Sequence, residues 1–265
     1  MFIVKVPGVN GGKDCEKAGN AIIEKLSAFG SNEQGKLIDK NLLDIEEIHV
    51  NNKDLELTNK LIYENALETF EAKPKSIFLG GDHSISYSLV RAFLNYCRDE
   101  SKEPCLIVFD SNPNCEVPDN FPNNRQWLRK VIEAGFPKEN VLLVGVRNSG
   151  REELIFLKDK KIKVIDTNKL TLDIENICDT IMEFSNRKEL YLSIDISVID
   201  PAFAPSTSFN EPGGLTSRQF IYLIQRLNKV NGLRAVDIVE INTQKDKTNG
   251  NITANLGAKI LGEFL

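Results

Sequence analysis

Short aliphatic or β-branched runs recur along the chain at Ile3–Val6, Ser76–Leu79, Cys105–Phe109, Val141–Val146, Ile162–Ile165, Leu190–Ile194 and Leu233–Val239. Nearly all are flanked by longer segments whose apolar positions follow helical spacing. Buried strands alternating with amphipathic helices predict a parallel sheet covered on both faces. The helices have local support. Thr216-Ser217-Arg218-Gln219 has the form of a capping box ahead of the stripe Phe220, Leu223, Ile224 and Leu227. Ile62, Ala66 and Phe70, and then Leu256, Ile260 and Phe264, give two further core-facing stripes. No repeat, low-complexity block or Pro/Gly/Ser-rich linker divides the chain, so residues 1–265 are expected to form a single domain.

Composition narrows the class without naming it. With 41% hydrophobic and 27% charged residues, the chain can bury a full globular core. A net charge of −5 offers no electrostatic footprint for nucleic acid or an anionic membrane. The strand-like opening Met1–Val6 is cut short by Pro7, and no apolar stretch approaches the roughly 18–20 residues needed to cross a bilayer. A cytoplasmic protein with small-molecule or protein partners is expected. Cys15, Cys97, Cys105, Cys115 and Cys178 show no paired spacing and are expected to be reduced thiols, most of them small core residues.

Three segments place polar residues at the end of an apolar strand: Phe78-Leu79-Gly80-Gly81-Asp82-His83-Ser84, Val108-Phe109-Asp110-Ser111-Asn112-Pro113-Asn114, and Leu192-Ser193-Ile194-Asp195-Ile196-Ser197. Charges ending buried strands are costly unless paired, hydrogen-bonded or bound to a metal. By itself the first segment reads as a tight strand-to-helix turn with Asp82 a helix N-cap and His83 in the first turn, where a lone histidine is more often structural. The least regular stretches, Ser111–Asn124 and Asp200–Gly214, directly follow buried strands, where loops of an open α/β sheet build the ligand site. No G-x-G-x-x-G and no P-loop follows any strand, which argues against a dinucleotide fold.

Taken in order, these segments resemble the arginase and agmatinase (ureohydrolase) family. Gly80–Ser84 is similar to its GGDHS motif, and Ser193 to Pro205 to its S-x-D-x-D-x-x-D-P-x-x-A-P segment. Gly213–Thr216 resembles the GGLT that follows, Val236–Asn242 the D-x-V-E-x-N strand, and Gly145–Arg147 the family's G-I-R. The resemblance implies a three-layer α/β/α fold with a mostly parallel sheet of about eight strands. It also implies two manganese ions that activate water for attack on a guanidinium or amidine carbon.

Carried onto this chain, the resemblance makes His83, Asp110 and Asp195 metal ligands, while Asn112, Asn114 and Ser197 stand where the family has His, Asp and Asp. Glu240 matches the carboxylate that pairs with the substrate, and Asn124 lies where the family carries a shuttle or substrate-binding histidine. Asp110 and Glu240 are the candidate catalytic groups. Two carboxylates where the family offers four can balance one dication. At about 3.5–4 Å, two dications repel by about 17–19 kcal/mol at an effective dielectric near 20. A two-metal cluster is therefore not expected. The ion that would use His83, Asp110, Asp195 and position 114 keeps one His and two Asp, with the Asn114 carbonyl in place of a carboxylate as a fourth donor, so that one hard or borderline cation is held at reduced affinity, manganese being the natural occupant. Cys115 is read as a loop or core thiol, against the alternative of a thiolate for a softer metal. His49, in an early strand-like segment, is the only other histidine.

The expectation is a divergent member without efficient two-metal hydrolysis, acting as a binding or partner subunit for a small guanidine- or amidine-like ligand. The alternative is a hydrolase of linear amidine or guanidine C–N bonds working with one metal. Family resemblance favours a homo-oligomer, trimer or hexamer, or pairing with a paralogue.

Overall fold

The computed structural model describes residues 1–265. Eight strands form one sheet: β1 (Phe2–Val6), β2 (Asp44–Glu47), β3 (Ser76–Gly80), β4 (Pro104–Phe109), β5 (Val141–Val146), β6 (Lys163–Asp166), β7 (Glu189–Asp195) and β8 (Leu233–Val239). The strand order is β2-β1-β3-β8-β7-β4-β5-β6, and every pairing is parallel. Side chains alternate in direction along a strand, so a strand buried on both faces must be apolar throughout. The runs at β3, β4 and β5 meet that condition, with every residue buried.

Ten α-helices cover the two faces. Helices α1 (Ala18–Leu26), α6 (Thr167–Leu172), α7 (Ile174–Phe184), α8 (Ser217–Leu227) and α10 (Ile252–Phe264) close one core with Ile77, Ile107, Leu192 and Val236. Helices α2 (Leu55–Ala72), α3 (Ile85–Asp99), α4 (Trp127–Glu133) and α5 (Arg151–Lys160) close the other with Phe78, Val108, Tyr191 and Ala235. The short α9 (Thr243–Thr248) precedes α10. The expected three-layer α/β/α architecture is the observed one. The capping box of α8 is formed as read: Thr216 accepts from the Gln219 amide at 3.2 Å, and Gln219 Oε1 accepts from the Thr216 amide at 2.9 Å.

Local expectations fail where solvent changes the pattern. The β2 strand carries Asp44, Glu46 and Glu47 at the sheet edge and buries none of its residues, so it lacks an apolar run. His49 lies just beyond it, outside regular structure. The β6 strand begins at Lys163, one residue later than its apolar run. Asp82 is not the N-cap of α3, a place taken by Ser84. It reaches back and accepts from the backbone amides of Asn10 and Gly12, both at 2.7 Å, fixing the loop after β1 over the site.

Candidate functional site

The four central strands β3, β8, β7 and β4 bring residues far apart in sequence to one end of the sheet. His83 follows β3, Asp110 follows β4, Asp195 ends β7 and Glu240 follows β8. All are buried, none more than 5% exposed. His83 Nδ1 lies 3.0 Å from Asp110 Oδ2 and 3.4 Å from Asp195 Oδ2. One ligand atom from each of these three residues falls within 4.8 Å of the others. The two carboxylates border a cavity of ≈ 200 Å³ lined almost entirely by polar side chains, among them Asp110, Asn112, Asn114, Asn124, Asp195 and Glu240.

A second polar layer lies beneath. The Ser193 hydroxyl donates to Asp237 Oδ1 at 2.8 Å, so at 2.8 Å from His83 Nε2 it accepts the imidazole proton. This fixes a proton on Nε2 and turns Nδ1 toward the carboxylates, the arrangement that orients a histidine ligand. Asp237 also accepts from Ser86 Oγ at 2.7 Å, Tyr191 Oη at 2.9 Å and the Ile194 amide at 3.2 Å. Trp127, the chain's single tryptophan, packs on His83 with ring centroids 4.6 Å apart. Sequence reasoning assigned no role to Ser193, Asp237 or Trp127. The signals available were an acidic residue inside the apolar β8 run and the places of Ser193 and Asp237 in the motifs quoted above.

Burial sets the electrostatics. It pushes Asp195 up to about 6, with the nearby charge of Asp110 adding to the shift. Asp82 rises to about 6 for the same first reason, helped by Glu240, and Glu240 is raised by its own burial and then by Asp195. Burial works against a charged imidazole at His83, yet the hydrogen bonds to Asp110 and Asp195 outweigh it and hold His83 well above the ordinary histidine range. The cluster thus needs positive charge between Nδ1 and the two carboxylates, supplied by a proton or a cation.

The three altered positions are not equivalent. Asn114 carries φ +53 and donates through Nδ2 to Asp110 Oδ2 at 2.5 Å, with the same nitrogen 3.2 Å from His83 Nδ1. An N–H thus faces the carboxylate, where the sequence suggested a carbonyl donor to a metal. A half-turn of the amide would be needed to present that oxygen. Ser197 donates to Asp110 Oδ1 at 3.3 Å and pairs with Ser111 Oγ at 2.9 Å. Asn112 Nδ2 donates to the Asn148 carbonyl at 3.2 Å, and its Oδ1 accepts from Ser111 Oγ at 2.7 Å. The donor set His83, Asp110 and Asp195 fits one divalent cation. The side chains of Asn112, Asn114 and Ser197 are already hydrogen-bonded to the protein. Cys115 is buried, its Sγ donates to the Pro113 carbonyl at 3.2 Å, and burial holds its thiol well above the usual range, so it offers no thiolate. All five cysteines are free and buried.

Glu240 sits at φ +70, a left-handed setting unusual for a side-chain-bearing residue. Its Oε1 accepts from the His83 amide and from Asn124 Nδ2, both at 2.9 Å. Its Oε2 is buried with no hydrogen-bond partner; the Ser208 hydroxyl stands close by but outside hydrogen-bonding geometry. Asn124 is therefore brought to Glu240, and both border the cavity.

Comparison with known proteins agrees with this arrangement. A family model described as "Arginase family" matches residues 4–265. The mitochondrial arginase 1 of Arabidopsis thaliana is 30% identical over 251 residues, covering 90% of this chain and 70% of the relative. Arginase 1 of Oryza sativa subsp. japonica is 29% identical over 251 residues, with 90% and 71% covered. Among solved structures, the formimidoylglutamase of Bacillus subtilis superposes with a TM-score of 0.88 at 19% identity, covering 99% of this chain and 85% of that one. The agmatine ureohydrolase of Thermoplasma volcanium gives a TM-score of 0.83 at 23% identity, with 99% and 87% covered. These likenesses show the shared fold, and with the match over nearly its whole length the chain belongs to the arginase family.

Proposed function

We propose that this chain binds one small cationic group of guanidine or amidine type and does not carry out efficient two-metal hydrolysis. The observation that carries the reading is the buried, unpartnered Oε2 of Glu240, in a carboxylate that borders the same polar cavity as Asp110 and Asp195. A buried carboxylate oxygen without a donor is costly, and an N–H of a cationic ligand removes the cost while supplying charge. The absence of efficient hydrolysis follows from Asn112, Asn114 and Ser197, which leave two carboxylates where a pair of dications needs more.

A second reading is favoured by the His83–Ser193–Asp237 chain, which presents Nδ1 toward Asp110 and Asp195. These three residues would hold a single divalent ion, manganese by family membership, whose chemistry would be to lower the pKa of water for C–N hydrolysis. Glu240 and Asn124 would then position the substrate. His83, fixed by Ser193 and held among the ligands, is poorly placed to serve as a mobile general acid.

Titration of the purified chain with guanidinium chloride and with manganese, followed by calorimetry, elemental analysis and a urea-release assay on agmatine and arginine, tests both readings. The expected result is guanidinium binding lost in Glu240→Gln, at most one manganese per chain, and urea release at least about a thousandfold below an arginase assayed alongside. Two manganese ions per chain with urea release at the arginase's own rate would refute the proposal. One ion with slow hydrolysis abolished by Asp195→Ala would favour the second reading.

A further inference from the structure

The cavity has a gradient from floor to mouth. Asp110, Asp195 and Glu240 are 1%, 5% and 2% exposed, whereas Phe209 at the outer end is 42% exposed and Arg125 beside it is also exposed. These two outer residues come from different loops, Arg125 from the loop after β4 and Phe209 from the loop after β7. They meet: the Arg125 guanidinium carbon lies 5.4 Å from the Phe209 ring centroid. Arg125 Nη2 is also paired with Glu116 Oε1 at 2.5 Å, and the Glu116 amide donates to the Arg125 carbonyl at 3.1 Å, so the first loop is tied to itself around this side chain.

The second loop is held as firmly. Thr207 Oγ1 lies 2.7 Å from the Phe209 carbonyl and 2.8 Å from Asn210 Oδ1, while Asn210 Nδ2 donates to the Pro205 carbonyl at 3.1 Å. The space left beneath is ≈ 200 Å³, below the roughly 300–1,000 Å³ of ordinary small-molecule pockets. An aromatic ring over an otherwise polar cavity contributes little to holding a cation at the floor, but it does limit how far a ligand can extend.

We propose that Phe209 and Arg125 determine specificity by roofing the cavity, so that the ligand is a compact guanidinium or amidinium ion without a long tail. The proposal rests on Glu240 as the cation's anchor and deepens that reading. A cation carrying a four-carbon chain and a second charged end would have to break the Arg125–Phe209 contact to reach Glu240.

The test measures the dissociation constants of guanidinium and agmatine by calorimetry for the unaltered chain and for Phe209→Gly, Arg125→Ala and Glu240→Gln. Circular dichroism and thermal melts confirm that each variant is folded. Guanidinium should bind the unaltered chain at least about tenfold more tightly than agmatine. Phe209→Gly and, independently, Arg125→Ala should tighten agmatine by about tenfold while moving guanidinium by less than about threefold. Two results overturn the roof while leaving Glu240 as the anchor: agmatine binding the unaltered chain as tightly as guanidinium, with Glu240→Gln abolishing both, or an unchanged ratio in both roof variants. Failure of both cations to bind any form overturns the anchor itself, and the roof with it.

Discussion

Two layers of polar side chains meet at the end of the central sheet, and they contrast sharply. The inner layer, Asp237, Ser193 and His83, is carried on or immediately after β3, β7 and β8, is buried, and forms a continuous chain of hydrogen bonds. The outer layer, Asn112, Asn114 and Ser197, follows β4 and β7, the two asparagines in a loop and Ser197 in a single 3-10 turn, at positions where the resemblance implied further ligands. The inner residues belong to the packed core, so losing one leaves others without partners. Asn112 and Asn114 border the cavity, and fewer buried donors depend on the outer residues than on Asp237.

The contrast is tested most severely at Asp237. Replacing it with alanine strands the donors of Ser86, Tyr191, Ser193 and the Ile194 amide inside the protein. The expected loss is about 3 kcal/mol or more of folding stability, read by urea denaturation. A variant within about 1 kcal/mol of the unaltered chain would show that the inner layer is no more structural than the outer one.

Asn114→Asp probes the outer layer. It replaces a donor to Asp110 with a like charge beside Asp110 and Asp195. The metal-free variant should melt at lower temperature, by about 2–3 kcal/mol in stability, and saturating manganese should restore it. Equal melting of variant and unaltered chain in EDTA would mean that the Asn114 amide does not balance these carboxylates.

The smallest expected effect is the response to pH. Asp82 and Asp195 lie near 6 and Glu240 is also raised, so the folded chain holds protons that the unfolded chain releases. Their stabilisation is full below the ordinary carboxylate range and is lost as pH rises through about 6. His83, held above its ordinary value, acts in the same direction: its share is present below about 6.5 and disappears as pH passes its folded value. Glu33, Asp166, Asp200 and Glu263 are shifted downward and set the acid limit. In EDTA the chain should be more stable at pH 5 than at pH 8, by on the order of 1–2 kcal/mol or several degrees in melting temperature. Saturating manganese should remove or reverse this order. A metal-free protein that melts lower at pH 5 than at pH 8 would contradict the assigned directions.

Much of this was legible in the sequence, for identifiable reasons. The central strands are buried on both faces, so they read as unbroken apolar runs, and the polar residues ending them mark the site. The β2 strand escaped because an edge strand exposed to water loses the apolar run that signals the others. The family motifs located His83, Asp110, Asp195 and Glu240, but motif spacing carries no orientation. It could not show that Asn114 turns its N–H to Asp110, or that the Asn112 amide donates to the Asn148 carbonyl. Asp82 read as a helix cap because local sequence cannot reveal the loop after β1 returning across the site. The contact of Phe209 with Arg125 joins segments far apart in sequence and depends on the strand order.

The indole stacked on His83 has a practical consequence. Because the chain has no other tryptophan, red-edge excitation reports from a single location, the wall behind the candidate ligands. Whatever fills, charges or wets that chamber alters the emission of one chromophore, so its occupancy can be followed in unlabelled protein without any assay of turnover.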